Sequence, residues 1–338
     1  MKKRIGSFDI IKCLAIYLVI WGHTIGSLAK AGDGSDIVYR VIYSFHMPLF
    51  MMISGYFASS SMDSQPWGFF KKKFMQLIYP CLIWGAICWV FLECISSFHY
   101  GNPVFSIGGL LSDFYWLADF WYLKSCFICY CLAYIGSHMG LKRTYWMILT
   151  LLISQAIMPF FVSFMYPCFI VGMELKYNKS FFSRIINYRY RILTFFALML
   201  LFWNEEAWQY SHGVPSGILQ GHYTVWAKIA GFRFFRMFIG IVGALGIIAV
   251  FTIVFNRDNY ENNKLIQILK DWGQYTLEVY ILQAIILERT LSHFINFSNM
   301  NYLLYDIIVS PILAFAILAL CIFIAKLLKT QQTIIHPH

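Results

Sequence analysis

Apolar residues in this chain come in long runs with short polar or basic breaks between them. Ten runs predict helices, over residues 8–28, 41–58, 74–97, 120–140, 144–160, 161–175, 190–203, 234–256, 272–292 and 302–325. Several approach the ~20 residues a helix needs to cross the hydrocarbon layer. The pattern predicts an all-α fold, a polytopic transmembrane helix bundle of about ten helices. The runs 144–160, 161–175 and 190–203 are short, and one pair of them suits a re-entrant element. The stretch 104–118 is apolar but broken by Gly108 and Gly109, which suits the membrane interface. No internal repeat or long linker interrupts the pattern. One integral membrane domain is therefore expected over residues 1–330, followed by a short cytoplasmic tail, 331–338. The loop 204–232 is polar and aromatic, a composition that suits carbohydrate contact and equally a plain interfacial loop.

Charge then orients the runs. With the N-terminus in the cytoplasm, 18 of the 26 Lys and Arg residues fall on cytoplasmic segments and six on the opposite side. This alternation keeps step with the runs and predicts an N-in, C-in, multi-pass protein of the inner (plasma) membrane. The basic start, Lys2, Lys3 and Arg4, precedes a segment too long and too polar for a signal-peptide core, so that segment is expected to be an uncleaved first span. Composition agrees: 12% of residues are charged, where a soluble domain carries about 25%. The net charge of +10 would suggest nucleic acid in a soluble protein. Here the cations belong to particular loops, so the expected partners are membrane lipids and no nucleic acid. Nine cysteines lie almost wholly within apolar runs. "CFICYC", residues 126–131, has no His or second Cys pair near it in sequence, so buried thiols are expected and no metal.

Candidate chemistry begins in "DIIKCLAIYLVIWGH", residues 9–23. At 100° and 1.5 Å per residue, Lys12 and His23 differ by only ~20° in direction and lie ~16 Å apart along the axis. Asp9 shares that face and can pair with Lys12 at i, i+3. Charges inside a bilayer are costly and face a bundle interior or a cavity, so this face is expected to line one. Snorkelling explains Lys12 alone, and a structural hydrogen bond between helices explains a lone His23. On the second run, His46 stands two residues before Pro48, which frees a backbone carbonyl. The topology puts His46 in the same outer half as His23, which suggests one site; kink chemistry alone is the plainer alternative. Glu278 is an intramembrane carboxylate and a further site candidate.

Lys12, ten residues and then His23 resembles the Arg/Lys-x10-His signature of the acyltransferase-3 family of integral membrane acyltransferases. "RIGSFDIIKCLAIYLVIWGHT" and "FHMPLFMMISGYF" are similar to the first two helices of that family. "FFKKKFMQLIYPCLIW" resembles its basic entry to the third helix. "FWYLKSCF", which contains Trp121, is similar to its Trp-Phe-Leu element, and "YPCFIVGMEL" and "YTLEVYILQ" are similar to later helices. The resemblance implies transfer of an acyl group, usually acetyl, from cytoplasmic acyl-CoA to a hydroxyl of a sugar, lipid-linked glycan or cell-surface polysaccharide. No permanently bound cofactor is implied; acyl-CoA, usually acetyl-CoA, is a co-substrate.

By this route His23 is catalytic, as general base or through an acyl-histidine, and Asp9, Lys12 and His46 accompany it. Neutral imidazole suits the base role near pH 7. Lys71, Lys72 and Lys73 suit capture of the donor's phosphates, or serve only the positive-inside bias. Two departures stand out. The Arg-x-x-Arg expected before the third-helix proline reads Lys73-Phe74-Met75-Gln76, and the His that often ends the "YTLEVYILQ" element is Gln283. A competing reading is a proton-coupled membrane transporter that uses the intramembrane Asp, Lys, His and Glu residues. Transporters often show repeat symmetry between halves, and none is found in this sequence.

Overall fold

The computed structural model describes residues 5–30, 34–87, 90, 120–157, 159–212, 223–255 and 263–335. The stretch 104–118, the segment 91–97 of the third run, and Lys2, Lys3, Arg4 and Arg257 lie outside them. The described residues are helical throughout, with no strand among them. A bilayer demands this, because each backbone N–H and C=O must find its partner within its own segment. Among the described residues, four helical stretches are long and apolar enough to cross a membrane: Gly6–Leu28, Ile37–Ser61, Ala227–Val254 and Tyr302–Lys329.

The short runs form short helices: Arg143–Gln155, Val162–Tyr177 and Arg189–Leu200. The run 144–160 stops early, at Gln155, and Phe160 and Phe161 beyond it take positive φ, a conformation that does not continue a right-handed helix. The run 234–256 starts early: its helix is Tyr223–Val254, so Lys228 and Arg233 belong to the same helix as Arg236. The last helix continues to Ile335, into the segment expected to be a tail. The run 272–292 is helical from Thr276 to Phe294, with a π-helical stretch, Ala284–Leu291, in its middle.

The chain forms two compact units, residues 1–53 with 178–338 and residues 54–177. In the first unit the first helix packs against the last helix, the Lys264–Trp272 helix and the Tyr223–Val254 helix. Its Phe8, Ile11, Ile16, Ile20 and Ile25 are fully buried. Lipid tails are as apolar as these side chains, so close packing and interhelical hydrogen bonds hold such helices together, the bonds at about 0.6 kcal/mol each. Trp21 Nε1 donates to Ser310 Oγ at 2.8 Å, Tyr17 OH to the Pro311 carbonyl at 3.2 Å, and Tyr305 OH to the Thr24 carbonyl at 3.0 Å.

Two glycines permit close approach in this unit. A Cβ on Gly273 would lie 1.8 Å from the Asp9 carbonyl oxygen. A Cβ on Gly240 would meet Pro48 at 2.7 Å and the Ser44 carbonyl at 3.0 Å, the carbonyl that Pro48 leaves without its helical donor.

In the second unit the helices Trp121–Ser137, Arg143–Gln155 and Val162–Tyr177 pack together. Tyr166 OH donates to Thr150 Oγ1 at 2.8 Å, and Tyr130 OH to the Ser54 carbonyl at 3.2 Å. Phe69 stacks on Tyr134 with ring centroids 4.0 Å apart. The thiols of Cys126 and Cys129 are free and buried.

Candidate functional site

The first helix carries two polar clusters. Near its start Lys12 Nζ lies 2.9 Å from Asp9 Oδ1, the i, i+3 pair that the spacing predicts. The backbone there is covered by Gly273, and Gly6 is packed against the Lys270 side chain. Eleven residues further on, His23 Nδ1 lies 2.8 Å from Glu288 Oε1. Their side chains keep 26% and 22% exposure, so the pair is accessible where its neighbours are buried.

The π-helical stretch explains why Glu288 can serve His23. Gln283 Nε2 donates to Glu288 Oε1 at 3.1 Å, across five residues, and Thr290 Oγ1 donates to the Ile285 carbonyl at 2.8 Å, again across five. In a regular α-helix residues five apart differ by ~140° and face apart. The wider turn brings them onto one side, as π-helical turns often do at functional sites. The sequence reading named Glu278 as the intramembrane carboxylate and missed Glu288, which lies in the same run, 272–292. Glu278 lies ten residues earlier on this helix, half-buried. The one available signal was a second carboxylate inside an apolar run. Gln283, the residue in place of the family's His, is buried and supports Glu288 directly.

Bonding of His23 Nδ1–H to a carboxylate selects the tautomer with its lone pair on Nε2, the form that accepts a proton. Glu288 is thus placed to steady the imidazolium that would form.

Aromatic side chains border the pair. Tyr43 has its ring centroid 6.3 Å from that of His23 and 4.7 Å from that of His46. Tyr43 is thus a ring neighbour of both histidines. His46 is fully buried, and its Nδ1 is 2.7 Å from the Ile42 carbonyl of its own helix. Tyr39 stacks on Tyr43 at 4.1 Å, and Trp208 lies 5.4 Å from Tyr39 and 5.9 Å from Tyr43. Trp208 comes from the helix Glu205–His212, so part of the loop 204–232 is packed beside the site. Residues 213–222 of that loop lie outside the described residues. Burial pushes the His212 imidazole down to about 4, with the Arg236 charge acting in the same direction.

The remaining candidates belong to the second unit. Lys71 and Lys72 are exposed; Lys73 is buried, its ammonium 3.6 Å from the centre of the Tyr130 ring. That burial pushes Lys73 down to about 8. Trp121 packs edge-on against Phe161, at 5.1 Å. Among the described residues no cluster of three or more His, Cys, Asp or Glu forms a metal site.

A model of the family described as "Acyltransferase domain" matches residues 5–328. The chain is 25% identical over 342 residues to a protein named nodulation protein NolL from Mesorhizobium japonicum, a match that covers 96% of this chain and 87% of the relative. It is 28% identical over 178 residues to nodulation protein NolL of Sinorhizobium fredii, covering 49% of this chain and 47% of that protein. No solved structure matches the chain. The family match covers nearly the whole sequence, the Lys12–His23 helix and Glu288 included, and the chain belongs to the acyltransferase-3 family.

Proposed function

We propose that this protein transfers an acyl group, acetyl in the simplest case, from cytoplasmic acyl-CoA to a hydroxyl of a sugar, lipid-linked glycan or cell-surface polysaccharide at the inner membrane. The observation that carries the reading is the 2.8 Å contact between His23 Nδ1 and Glu288. Nε2 of His23 takes the proton of the acceptor hydroxyl as that oxygen attacks the thioester carbonyl. The coenzyme A thiolate leaves and recovers the proton from the imidazolium, which Glu288 stabilises in the interval. Gln283 and the π-helical turn hold Glu288 in register. Lys71, Lys72 and Lys73 contact the donor's phosphates from the cytoplasmic side, and the Asp9–Lys12 pair marks the donor end of the first helix. About ten helices cross the membrane, with both termini in the cytoplasm.

Purified protein in nanodiscs, given radiolabelled acetyl-CoA and a pool of membrane glycans, tests the reading beside His23→Ala. Thiol release and glycan labelling that depend on His23 support it. Unchanged transfer by His23→Ala contradicts the catalytic assignment. Solute flux in proteoliposomes without coenzyme A would favour the transporter reading instead.

A further inference from the structure

The carboxylate of Asp9 faces Lys12, and that of Glu288 faces His23 and Gln283. Asp36 and Asp306 face each other. Both are buried, at 5% and 1% exposure, and their carboxyls lie within hydrogen-bonding reach of one another. Each keeps an Oδ2 that meets no donor among the described residues. Asp36 stands at the start of the second helix, where its Oδ1 accepts from the Tyr39 backbone N–H at 2.8 Å. Asp306 lies in a π-helical stretch, Tyr305–Val309, near the start of the last span.

Two ionised carboxylates in contact away from water repel each other strongly, and neither supplies a donor. One proton between them removes a charge and turns two donorless acceptors into a hydrogen-bonded acid and carboxylate, as carboxyl pairs in other proteins do. A hard cation would take about six or more oxygens. Few are left here: Asp36 Oδ1 holds the Tyr39 N–H, and the Asp306 carbonyl accepts from Trp21 Nε1 at 3.1 Å and Ser310 Oγ at 3.0 Å. Arg40, one turn after Asp36, gives its Nη1 to the Gly34 and Ser35 carbonyls. The other titratable or charged groups on the elements around the pair are Tyr39, which Glu288 and Arg236 also influence, Tyr305, and His212 beside Trp208, whose ring packs against Gly34. The first helix contributes Trp21 and Thr24, which do not titrate.

The pair also has a place in the site. Trp21 bonds to the Asp306 carbonyl, and Tyr305 OH donates to the Thr24 carbonyl, so the last helix grips the first on both sides of His23. Tyr39, bonded to Asp36, stacks on Tyr43, the ring neighbour of His23. We propose that Asp36 and Asp306 bind one proton between them, and that this hydrogen bond fastens the second helix to the last helix around His23. The proposal does not depend on the reaction catalysed.

Infrared spectra at neutral pH, on protein in nanodiscs, compare wild type with Asp306→Asn and Asp36→Asn. The carbonyl stretch of a protonated carboxyl should be present in the wild type, shift in D2O, and be missing from both variants. Asp306→Asn should leave the thermal midpoint within about 2 °C, because its amide N–H donates to Asp36 as the acid does, while Asp306→Ala should lower it by about 4 °C or more. Raising the pH above neutral should lower the wild-type midpoint more than that of Asp306→Asn, because an unfolded aspartate has already released the proton that the folded pair holds. The proposal is overturned if no carboxyl band is lost in Asp306→Asn, or if Asn and Ala at position 306 lower the midpoint equally. It is also overturned if sodium or calcium at constant ionic strength raises the wild-type midpoint but not that of Asp306→Asn, which would assign the pair to a cation.

Discussion

The two polar clusters of the first helix are built in opposite ways. Asp9 and Lys12 satisfy each other within one turn, under a glycine from a neighbouring helix. His23 reaches 265 positions along the chain to Glu288, and that carboxylate is itself held by Gln283 across a widened turn. A local pair needs no tertiary structure and forms wherever the helix forms. A distant pair costs the ordering of two further elements, so it persists only where packing supports it, and it lends itself to holding one tautomer in one direction. The lesson is that charge inside a membrane helix is not by itself a catalytic signal; what distinguishes the two ends is who supplies the partner.

The contrast is open to attack at four points, in order of expected effect. His23→Ala should lower the rate of acyl transfer by about a thousandfold or more, because removing a positioned general base forfeits ~10²–10⁴ and any orientation with it. Membrane insertion should be unchanged, as measured by yield and gel-filtration profile. Glu288→Gln should cost ~10–10³-fold in kcat with little change in KM, since the amide keeps the shape but does not stabilise imidazolium. At the other end, Gly273→Ala should act on folding: a methyl group cannot share space with the Asp9 carbonyl, and the helices must shift at a cost of about 1–3 kcal/mol. A lowered thermal midpoint with kcat largely kept is the expected reading. Lys12→Met should change the donor KM by only a few-fold, the scale of an ion pair open to solvent. A loss as large as that of Glu288→Gln would erase the distinction between the two ends.

A fifth effect is smaller and belongs to the unit of residues 54–177. Lys73 is held at about 8, below the ordinary lysine value, so it is charged below that pH and neutral above it. If it contacts donor phosphate, the KM for acyl-CoA should rise as pH passes upward through 8, and Lys73→Arg should flatten that rise because arginine stays protonated. The stability effect has its own sign. The unfolded chain holds the lysine proton up to about 10.5, so stability should increase, not fall, between pH 8 and that value.

Much of this molecule was legible because the membrane leaves the chain few choices. The first two helices, their shared polar face and the Asp9–Lys12 pair follow from residue type and a 100° turn. The carbonyl that Pro48 frees was legible too, and Gly240 is the residue that lies against it. What escaped depended on departures from regular geometry. The support of Glu288 by Gln283 was hidden because α-helical spacing puts the two ~140° apart, and the π-helical stretch brings them together. The start of the helix that carries Arg236 was placed at residue 234, because Lys228 and Arg233 interrupt the apolar run, whereas the helix begins at Tyr223. Trp208 lay in a loop whose composition suited two different roles, and its ring contacts with Tyr39 and Tyr43 are between residues 165 or more positions apart, which no local pattern reveals.

The central claim is that His23 and Glu288 act as one unit. It is tested most directly by the acyl-transfer rate of wild type, His23→Ala, Glu288→Ala and the double variant, all in the same membrane mimic. The account predicts that Glu288→Ala is strongly impaired in the presence of His23 and makes no further difference in its absence, so that the double variant equals His23→Ala. Losses that multiply, or a Glu288→Ala enzyme as fast as the wild type, would contradict it.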